Sequence, residues 1–308
     1  MRISGTLPAL VAAGFLGMSA AFAPRAIASG DPAYDAFQAG NYLTAIEEAR
    51  KAAGNGVASA NTLLGEIYSK GYGVKRDPAE AAKWYEKGAR LGDANAQLAF
   101  GAMLNEGNGV KQDKKRAADL FEKAARQGLA AAQYNMALVL IDGEVRAPDI
   151  AQAVTWLEMA VAQDHAQAQY DLSGVYANAS GRYHKPKEAL ELLKKAAGQG
   201  HTTAQLELAI KQFNGKGVPK DEVAAVRLLQ AAAQKGNPVA QNRLARVYAQ
   251  GAKDLPENPV EATKWHLLAR NAGVSDFWLD VYITRLSKDE RIRAEEEAER
   301  WKLSRLGS

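Results

Sequence analysis

Cysteine is absent from the 308-residue sequence, and histidine occurs only four times. Without cysteine the chain can form no disulfide bond, thiolate zinc site or iron–sulfur cluster, and it offers no thiol nucleophile and no lipid-anchored cysteine. With so few histidines, a metal site would have to be built mostly from carboxylates. We therefore expect a protein with no metal and no cofactor.

A strong excess of charge of one sign is also missing. The sequence holds 39 Lys and Arg against 35 Asp and Glu, which gives a formal net charge of +4. Because these charges are spread evenly, they form no basic stripe of the kind that follows a phosphate backbone. We expect no nucleic-acid partner. With 47% hydrophobic and 24% charged residues, the composition is that of an ordinary globular protein.

Long apolar runs are confined to the N-terminus. Residues 1–28 begin with Met1 and Arg2, contain an apolar stretch over 7–23 and end in small residues. This order is typical of a secretory signal peptide, and the predicted cleavage lies between Ala28 and Ser29. A cut after Ala23 and an uncleaved membrane anchor are the alternatives. The anchor is disfavoured because the stretch is short for a bilayer about 30 Å thick.

Cleavage would remove Arg2 and Arg25 and leave a mature chain with a net charge of +2. The sequence after residue 28 has no stretch long and apolar enough to span a membrane. We therefore expect an exported, soluble protein, with a bacterial periplasm as its simplest location.

A 36-residue period organises the rest of the sequence. Its marker is Asn or Gln, preceded each time by Ala, at Asn61, Gln97, Gln133, Gln169, Gln205 and Gln241. A period of this length indicates a stacked array of small units. We expect an all-α fold, a right-handed α-solenoid of antiparallel helix pairs. Six repeats would cover residues 57–273, between an N-terminal capping helix pair over 29–56 and C-terminal capping helices over 274–308.

Each repeat is expected to contain a helix A and a helix B. In the first repeat Ala60, Leu64, Gly65 and Tyr68 share one helix face, and Gly65 admits a close neighbour. A Gly-x-Gly turn ends helix A, and Asp77 is expected to cap helix B.

Helix B is expected to bury apolar residues and to end at a glycine. Its apolar positions in the first repeat are Ala81, Trp84, Tyr85, Ala89 and Leu91. Equivalent aspartate caps are predicted at Asp113, Asp149 and Asp221. The loops before Pro186 and Pro259 have weaker capping residues, and Asp164 replaces the glycine that ends helix B in other repeats.

Motifs of catalysis are not found. The sequence contains no Gly-x-Ser-x-Gly, Ser-x-x-Lys or His-Glu-x-x-His motif in a suitable setting. Its Gly-x-Gly pairs, such as Gly107 and Gly109, lie between helices and are better explained as turns with positive φ than as phosphate-binding loops. We expect a protein that is not an enzyme.

The predicted partner site lies on helix A. If Leu64 and Tyr68 face the core, the positions of Thr62, Glu66 and Ser69 should face the inner curve of the solenoid. The predicted partner-binding residues at these positions are Leu98, Tyr134, Leu138, Ile141, Tyr170, Leu206, Ile210 and Phe213. Exposed together, they would form an apolar patch large enough to imply a partner. The alternative is that these side chains pack within the array.

Two histidines, His165 and His201, hold the same place in successive repeats, just before helix A. The plain interpretation is that both stand at a helix start, where other repeats have Asp93 and Asn237. A protonated imidazole there opposes the positive end of the helix dipole. The hypothesis is that acid loosens these junctions.

The repeat motif resembles that of Sel1-like repeats, which are related to tetratricopeptide repeats. The matching residues are Tyr68-x-x-Gly71-x-Gly73-Val74-x-x-Asp77 followed by Ala81-x-x-Trp84-Tyr85. The segments over 34–45, 62–68, 204–206 and 240–245 are similar to ExoR-type periplasmic regulators. That resemblance implies a negative regulator of exopolysaccharide production, which binds the periplasmic domain of a sensor histidine kinase and represses its two-component pathway.

Two other functions remain open. The first is a scaffold for an envelope polysaccharide or cell-wall assembly complex. The second is β-lactam hydrolysis, which is associated with some exported Sel1-like proteins. Those proteins carry a cysteine pair in each repeat, and this sequence has none.

Overall fold

The computed structural model describes residues 31–306. The predicted signal peptide, with Ala28 and Ser29, lies outside the described residues. The chain opens with α1 (Pro32–Gln38) and α2 (Tyr42–Gly54). The A helices are α3 (Ala58–Lys70), α5 (Ala94–Glu106), α7 (Ala130–Asp142), α9 (Ala166–Asn178), α11 (Thr202–Asn214) and α13 (Pro238–Gln250). The B helices are α4 (Pro78–Arg90), α6 (Lys114–Arg126), α8 (Ile150–Val161), α10 (Pro186–Gly198), α12 (Glu222–Gln234) and α14 (Pro259–Asn271). The last helices are α15 (Phe277–Thr284) and α16 (Lys288–Leu306).

These sixteen helices and one 3₁₀ turn at Gly181–Tyr183 account for the regular structure of residues 31–306, which contain no β-strand. Each of five A helices packs against the B helix that follows it, namely α3, α5, α7, α11 and α13. The predicted all-α solenoid of antiparallel helix pairs is confirmed. None of the helices in the described part of the chain is long and apolar enough to cross a membrane.

Local sequence signals explain where the helices begin and end. Asp77 accepts a hydrogen bond from the Glu80 backbone N–H at 3.0 Å, and Asp113, Asp149 and Asp221 make equivalent bonds. Lys185 caps nothing, as expected. The expectation of a weak cap before Pro259 is wrong, because Asn258 accepts a bond from the Glu261 N–H at 3.1 Å.

The C-terminal ends of the helices are also determined by local sequence. Gly71 ends α3 in the left-handed conformation at φ 79°. Asp164 takes this conformation too, at φ 57°, so the residue that replaces glycine preserves the turn.

The packing of the first repeat partly follows the predicted pattern. A Cβ at Gly65 would lie 2.6 Å from Cδ1 of Tyr85, so the expected close approach is confirmed. Tyr68 is only half-buried, because Leu63 and Ile67 take the core positions beside Leu64. On helix B, Trp84 is half-buried and packs against the core cluster that contains Ile67. Leu91 is 52% exposed, so its assignment to the buried face is wrong.

The chain divides into two compact units between Ala168 and Gln169. We call residues 31–168 the N-terminal unit and residues 169–306 the C-terminal unit. In the first, α1 and α2 cover α3 through Ala33, Ile46 and partly buried Phe37.

In the C-terminal unit, α16 packs against α14. Ala298 and Trp301 of α16 lie against the core cluster that contains Trp265. The predicted capping box at the start of α16 is present, because the Glu290 N–H donates to Ser287 Oγ at 3.2 Å and the Ser287 N–H donates to Glu290 Oε2 at 2.9 Å.

The periodic glutamines form hydrogen bonds from repeat to repeat. Gln97 donates to the Ala89 carbonyl and accepts a bond from Gln127 at 2.8 Å. Gln163 donates to Gln133 and Gln199 to Gln169 in the same way. The next repeat lacks this glutamine–glutamine bond, because residue 235 is lysine. Lys235 donates to the Gly200 carbonyl at 2.8 Å, and the buried Oε1 of Gln205 has no partner within residues 31–306.

Candidate partner-binding face

The A helices carry a recurrent surface formed by two series of residues at the 36-residue interval. The first series is Thr62, Leu98, Tyr134, Tyr170, Leu206 and Asn242. The second series is Glu66, Ala102, Leu138, Gly174, Ile210 and Arg246. Because residues four apart lie on one side of a helix, the two series share a surface. We call it the A-helix face; each unit has its own part of it.

In the N-terminal unit, large side chains on this face are mostly withdrawn from solvent. Tyr134 is 6% and Leu138 is 7% exposed, so the expectation that both are accessible is wrong. Leu98 and Ile141 are half-buried. The periodicity of a single helix does not show what the next repeat places over it, and here the next repeat covers the tyrosine ring.

In the C-terminal unit the face is more accessible. Ile210 is 39% exposed, and Tyr170, Leu206 and Phe213 are half-buried. Leu206 and Phe213 also pack against the core cluster around Leu244. Partner binding by these residues stays a prediction.

Four members of the first series contact the residue that caps the next A helix, or α15 in the last case. The pairs are Thr62 with Asp93 through a 2.8 Å hydrogen bond, Tyr134 with His165 through rings 5.1 Å apart, Tyr170 with His201 through rings 4.7 Å apart, and Asn242 with Asp276 through a 3.0 Å hydrogen bond. Polar residues thus pair with polar caps, and tyrosines stack on histidine caps. The structure therefore joins two groups that the sequence analysis treated separately, the tyrosines of the predicted patch and the histidines.

Both histidines act as neutral helix caps. His165 Nδ1 accepts a hydrogen bond from the Ala168 N–H at 3.2 Å, and His201 Nδ1 accepts one from the Ala204 N–H at 3.1 Å. Burial lowers the pKa of His165, and burial together with the charge of Lys235 lowers the pKa of His201. A proton on Nδ1 would abolish the bond that it accepts. The acid sensitivity of these junctions stays a prediction, now with a specific bond at risk.

A further group on this surface was missed by the sequence analysis. One more step of 36 residues from Asn242 and Arg246 leads to Trp278 and Tyr282 on α15. Their rings are stacked, 5.7 Å apart at 17°, and the Arg246 guanidinium lies 5.4 Å from the Trp278 ring centroid. The signal that could have identified them is the same 36-residue period, which continues past the sixth repeat into α15.

Asp276 fixes Arg246 in this stack. The carboxylate accepts bonds from Arg246 Nε at 2.6 Å and Nη2 at 2.7 Å. It also accepts bonds from Asn242 and from the Leu279 N–H as the cap of α15. Burial opposes the charge of this carboxylate, but these bonds outweigh burial and lower its pKa to about 2.

Charge differs between the two units. Residues 31–168 contain 15 Lys and Arg against 18 Asp and Glu, whereas residues 169–308 contain 22 against 17. The C-terminal unit is therefore the basic one. Among residues 31–306, no group of three or more His, Asp or Glu side chains is placed to hold a metal ion.

The paired helices and the recurrent A-helix face define a helical-repeat solenoid, a class of protein that presents surfaces for recognition. The Sel1 repeat model matches residues 58–93, 92–129, 130–165, 166–201, 202–237 and 238–274. Because these matches cover more than half of the sequence, the chain belongs to the Sel1 repeat family. Sel1 repeats generally mediate protein–protein interactions, and proteins built from them are generally non-enzymatic scaffolds.

Solved structures agree with this assignment. The chain is similar to a Sel1 repeat protein from Oxalobacter formigenes, with 25% identity, a TM-score of 0.67 and coverage of 80% of this chain and 99% of the other. It is also similar to c5321, a protective antigen with an SLR fold present in uropathogenic Escherichia coli strains. That match has 26% identity, a TM-score of 0.53 and coverage of 88% of this chain and 67% of the other. No curated protein matches the chain.

Proposed function

We propose that this protein is an exported regulator that binds the periplasmic sensing domain of a membrane histidine kinase. Binding would hold the two-component pathway, and with it exopolysaccharide synthesis, in the repressed state. The observation that carries the binding step is the accessible A-helix face of the C-terminal unit, where Ile210 and Trp278 are exposed and Arg246 lies against the Trp278 ring. Exposed apolar groups gathered on one face favour a protein partner.

The regulatory step rests on sequence resemblance. The segments over 34–45, 62–68, 204–206 and 240–245 are similar to ExoR-type regulators. In the structure, the last two segments lie on α11 and α13, two helices that form the accessible face. Most residues of these two segments are buried, and Leu206 and Arg243 are the ones that reach the surface.

The direct test is binding between the purified chain from Ser29 and the isolated sensing domain of the kinase, measured by biolayer interferometry. A gene deletion should raise exopolysaccharide output in parallel, and the intact gene should restore it. Absence of binding together with unchanged output would refute the proposal. Turnover of nitrocefin by the purified chain would support the β-lactam alternative instead.

Export is tested independently. Mass spectrometry of the protein from a periplasmic extract should identify an N-terminus at Ser29. A chain that keeps Met1 and remains in the cytoplasm would contradict the proposed location, whatever its partner.

A further inference from the structure

Helix α15 combines an apolar sequence with little burial. Its eight residues include six large apolar or aromatic ones, yet only Leu279 is fully buried. Phe277 is 82% and Trp278 is 40% exposed. The terminal units of a helical array normally turn a polar surface to water. The composition of α15 therefore needs an explanation beyond capping.

Helix α13 contributes a matching stripe. Val239, Asn242, Arg243 and Arg246 follow one another at i, i+3, i+4 and i+7, so they share one side of the helix. Val239 and Arg243 are exposed. Of this stripe, Arg246 lies against the Trp278 ring of α15.

Arg246 is held in place for recognition. Its two bonds to Asp276 use Nε and one N–H of Nη2, so three of the five guanidinium N–H groups are not engaged by that carboxylate. The Trp278 ring supports the guanidinium from one side. An arginine fixed in this way loses little side-chain freedom when it binds a carboxylate. Trp, Tyr and Arg are also the residues that most often dominate binding energy at interfaces.

The charge of the α13 stripe itself favours an acidic ligand, because the stripe contains two arginines and no carboxylate. Arg246 is balanced by Asp276, and Lys211 lies 3.7 Å from Glu207. Arg243 adds a positive charge on the exposed side of α13, within a unit that has 22 basic and 17 acidic residues. A partner with carboxylates would gain attraction that a basic or neutral one lacks.

We propose that this surface binds an extended segment of a partner protein in which an acidic residue stands next to a bulky apolar residue. The Trp278 surface, as we call it, consists of Ile210, Val239, Arg243, Arg246, Phe277 and Trp278. The apolar residue packs against Trp278 and Phe277, and the carboxylate accepts bonds from Arg246 and lies near Arg243. The proposal rests on the interaction function above and adds its place and its ligand chemistry.

The test is selection of a random peptide library displayed on phage against the immobilised chain from Ser29. Enriched peptides should pair Asp or Glu with an aromatic or branched apolar residue. Synthetic forms of those peptides should bind the Trp278→Ala variant about tenfold or more weakly, and binding should weaken as salt is added.

Two charge variants separate recognition from general electrostatics. Arg243→Glu should weaken the selected peptides by about tenfold. Arg227→Glu makes the same charge change at an exposed position of α12 and should leave binding within about twofold. Because both positions are exposed, neither change should alter the thermal melt, which checks that the fold is kept.

Several outcomes would overturn the proposal. They are failure to enrich any peptide, enrichment of basic peptides, or equal binding by Trp278→Ala. A concentration-dependent dimer that Trp278→Ala abolishes would show that a second copy covers this surface instead. If the kinase domain binds wild type and Trp278→Ala equally, this inference fails while the proposed regulator stands. If acidic peptides bind but the kinase domain does not, this inference stands while the proposed regulator fails.

Discussion

The N-terminal and C-terminal units are built from the same repeat, but their A-helix faces differ. Both have alanine-rich cores, capped helices and interrepeat glutamine bonds. In the first unit Tyr134 and Leu138 are buried, whereas in the second Ile210 and Trp278 are exposed. The frame that the repeats of this chain share therefore leaves the A-helix face free to differ between the units. Stacking on a histidine cap does not by itself decide the exposure, because it occurs in both units, between Tyr134 and His165 in the first and between Tyr170 and His201 in the second.

The largest effect should come from removing a core aromatic residue in either unit. Phe121→Ala and Trp265→Ala each remove a ring that is almost fully buried and should cost about 3–5 kcal/mol. Urea unfolding followed by circular dichroism measures both. Similar losses would show that the open face of the C-terminal unit does not reflect a looser core. A loss below about 1 kcal/mol for Trp265→Ala alone would mean that it does.

The next effect concerns two caps that differ between the units. Asp93 pairs with Thr62, whereas Asp276 carries the additional bonds from Arg246. Asp93→Ala should cost about 1 kcal/mol as a lost cap, and Asp276→Ala about twice as much because a partly buried arginine is left unpaired. Thermal melts of the two variants at neutral pH provide the comparison. Equal decreases in melting temperature would show that the bonds from Arg246 to Asp276 add no stability beyond that of a helix cap.

The low pKa of Asp276 also leads us to expect that the fold loses stability in acid. Its folded pKa of about 2 lies below the ordinary value of 3.8, so its ionised form stabilises the fold. That contribution is fully present above about pH 4 and is lost as the pH falls toward 2. It should amount to about 2 kcal/mol and should be missing from the acid profile of Asp276→Asn. An unchanged profile in that variant would contradict the assignment.

The glutamine hydrogen bonds can be tested by reciprocal substitutions, one in each unit. Lys235→Gln should give Gln205 its missing donor and stabilise the C-terminal unit by about 1 kcal/mol. The reverse change in the N-terminal unit, Gln127→Lys, should deprive Gln97 of its donor and cost a similar amount. Unfolding midpoints of both variants are the readout. A destabilised Lys235→Gln variant would show that the Lys235 bond to Gly200 matters more than the glutamine bond.

The smallest effect should come from the histidine caps. Both have a pKa below the ordinary 6.5, so the neutral imidazole stabilises the fold. That stability is fully present above pH 6.5 and is lost as the pH falls through the folded pKa. Asparagine caps a helix without titrating. The double variant His165→Asn with His201→Asn should therefore show a weaker dependence of melting temperature on pH over this range. A slope equal to that of wild type would exclude the histidines as its source.

Local chemistry is what the sequence predicts well. Asp77, Gly71 and the Ser287 capping box act within a few residues, so their roles follow from spacing alone. The burial of Tyr134 could not be predicted in this way, because His165 approaches it from the next repeat.

The accessible site shows a similar limit. Trp278 lies at the expected interval, but the interval does not tell whether another element covers the ring, which is 40% exposed in the structure. The bond from Arg246 to Asp276 joins residues 30 positions apart and has no local signature.

The most direct test of this account is amide hydrogen exchange of the chain from Ser29, alone and bound to the sensing domain of the histidine kinase. The account predicts slower exchange on binding in α13 and α15, around Arg246 and Trp278, with α5 and α7 unchanged. Protection confined to the N-terminal unit, or no protection at saturating sensing domain, would contradict it.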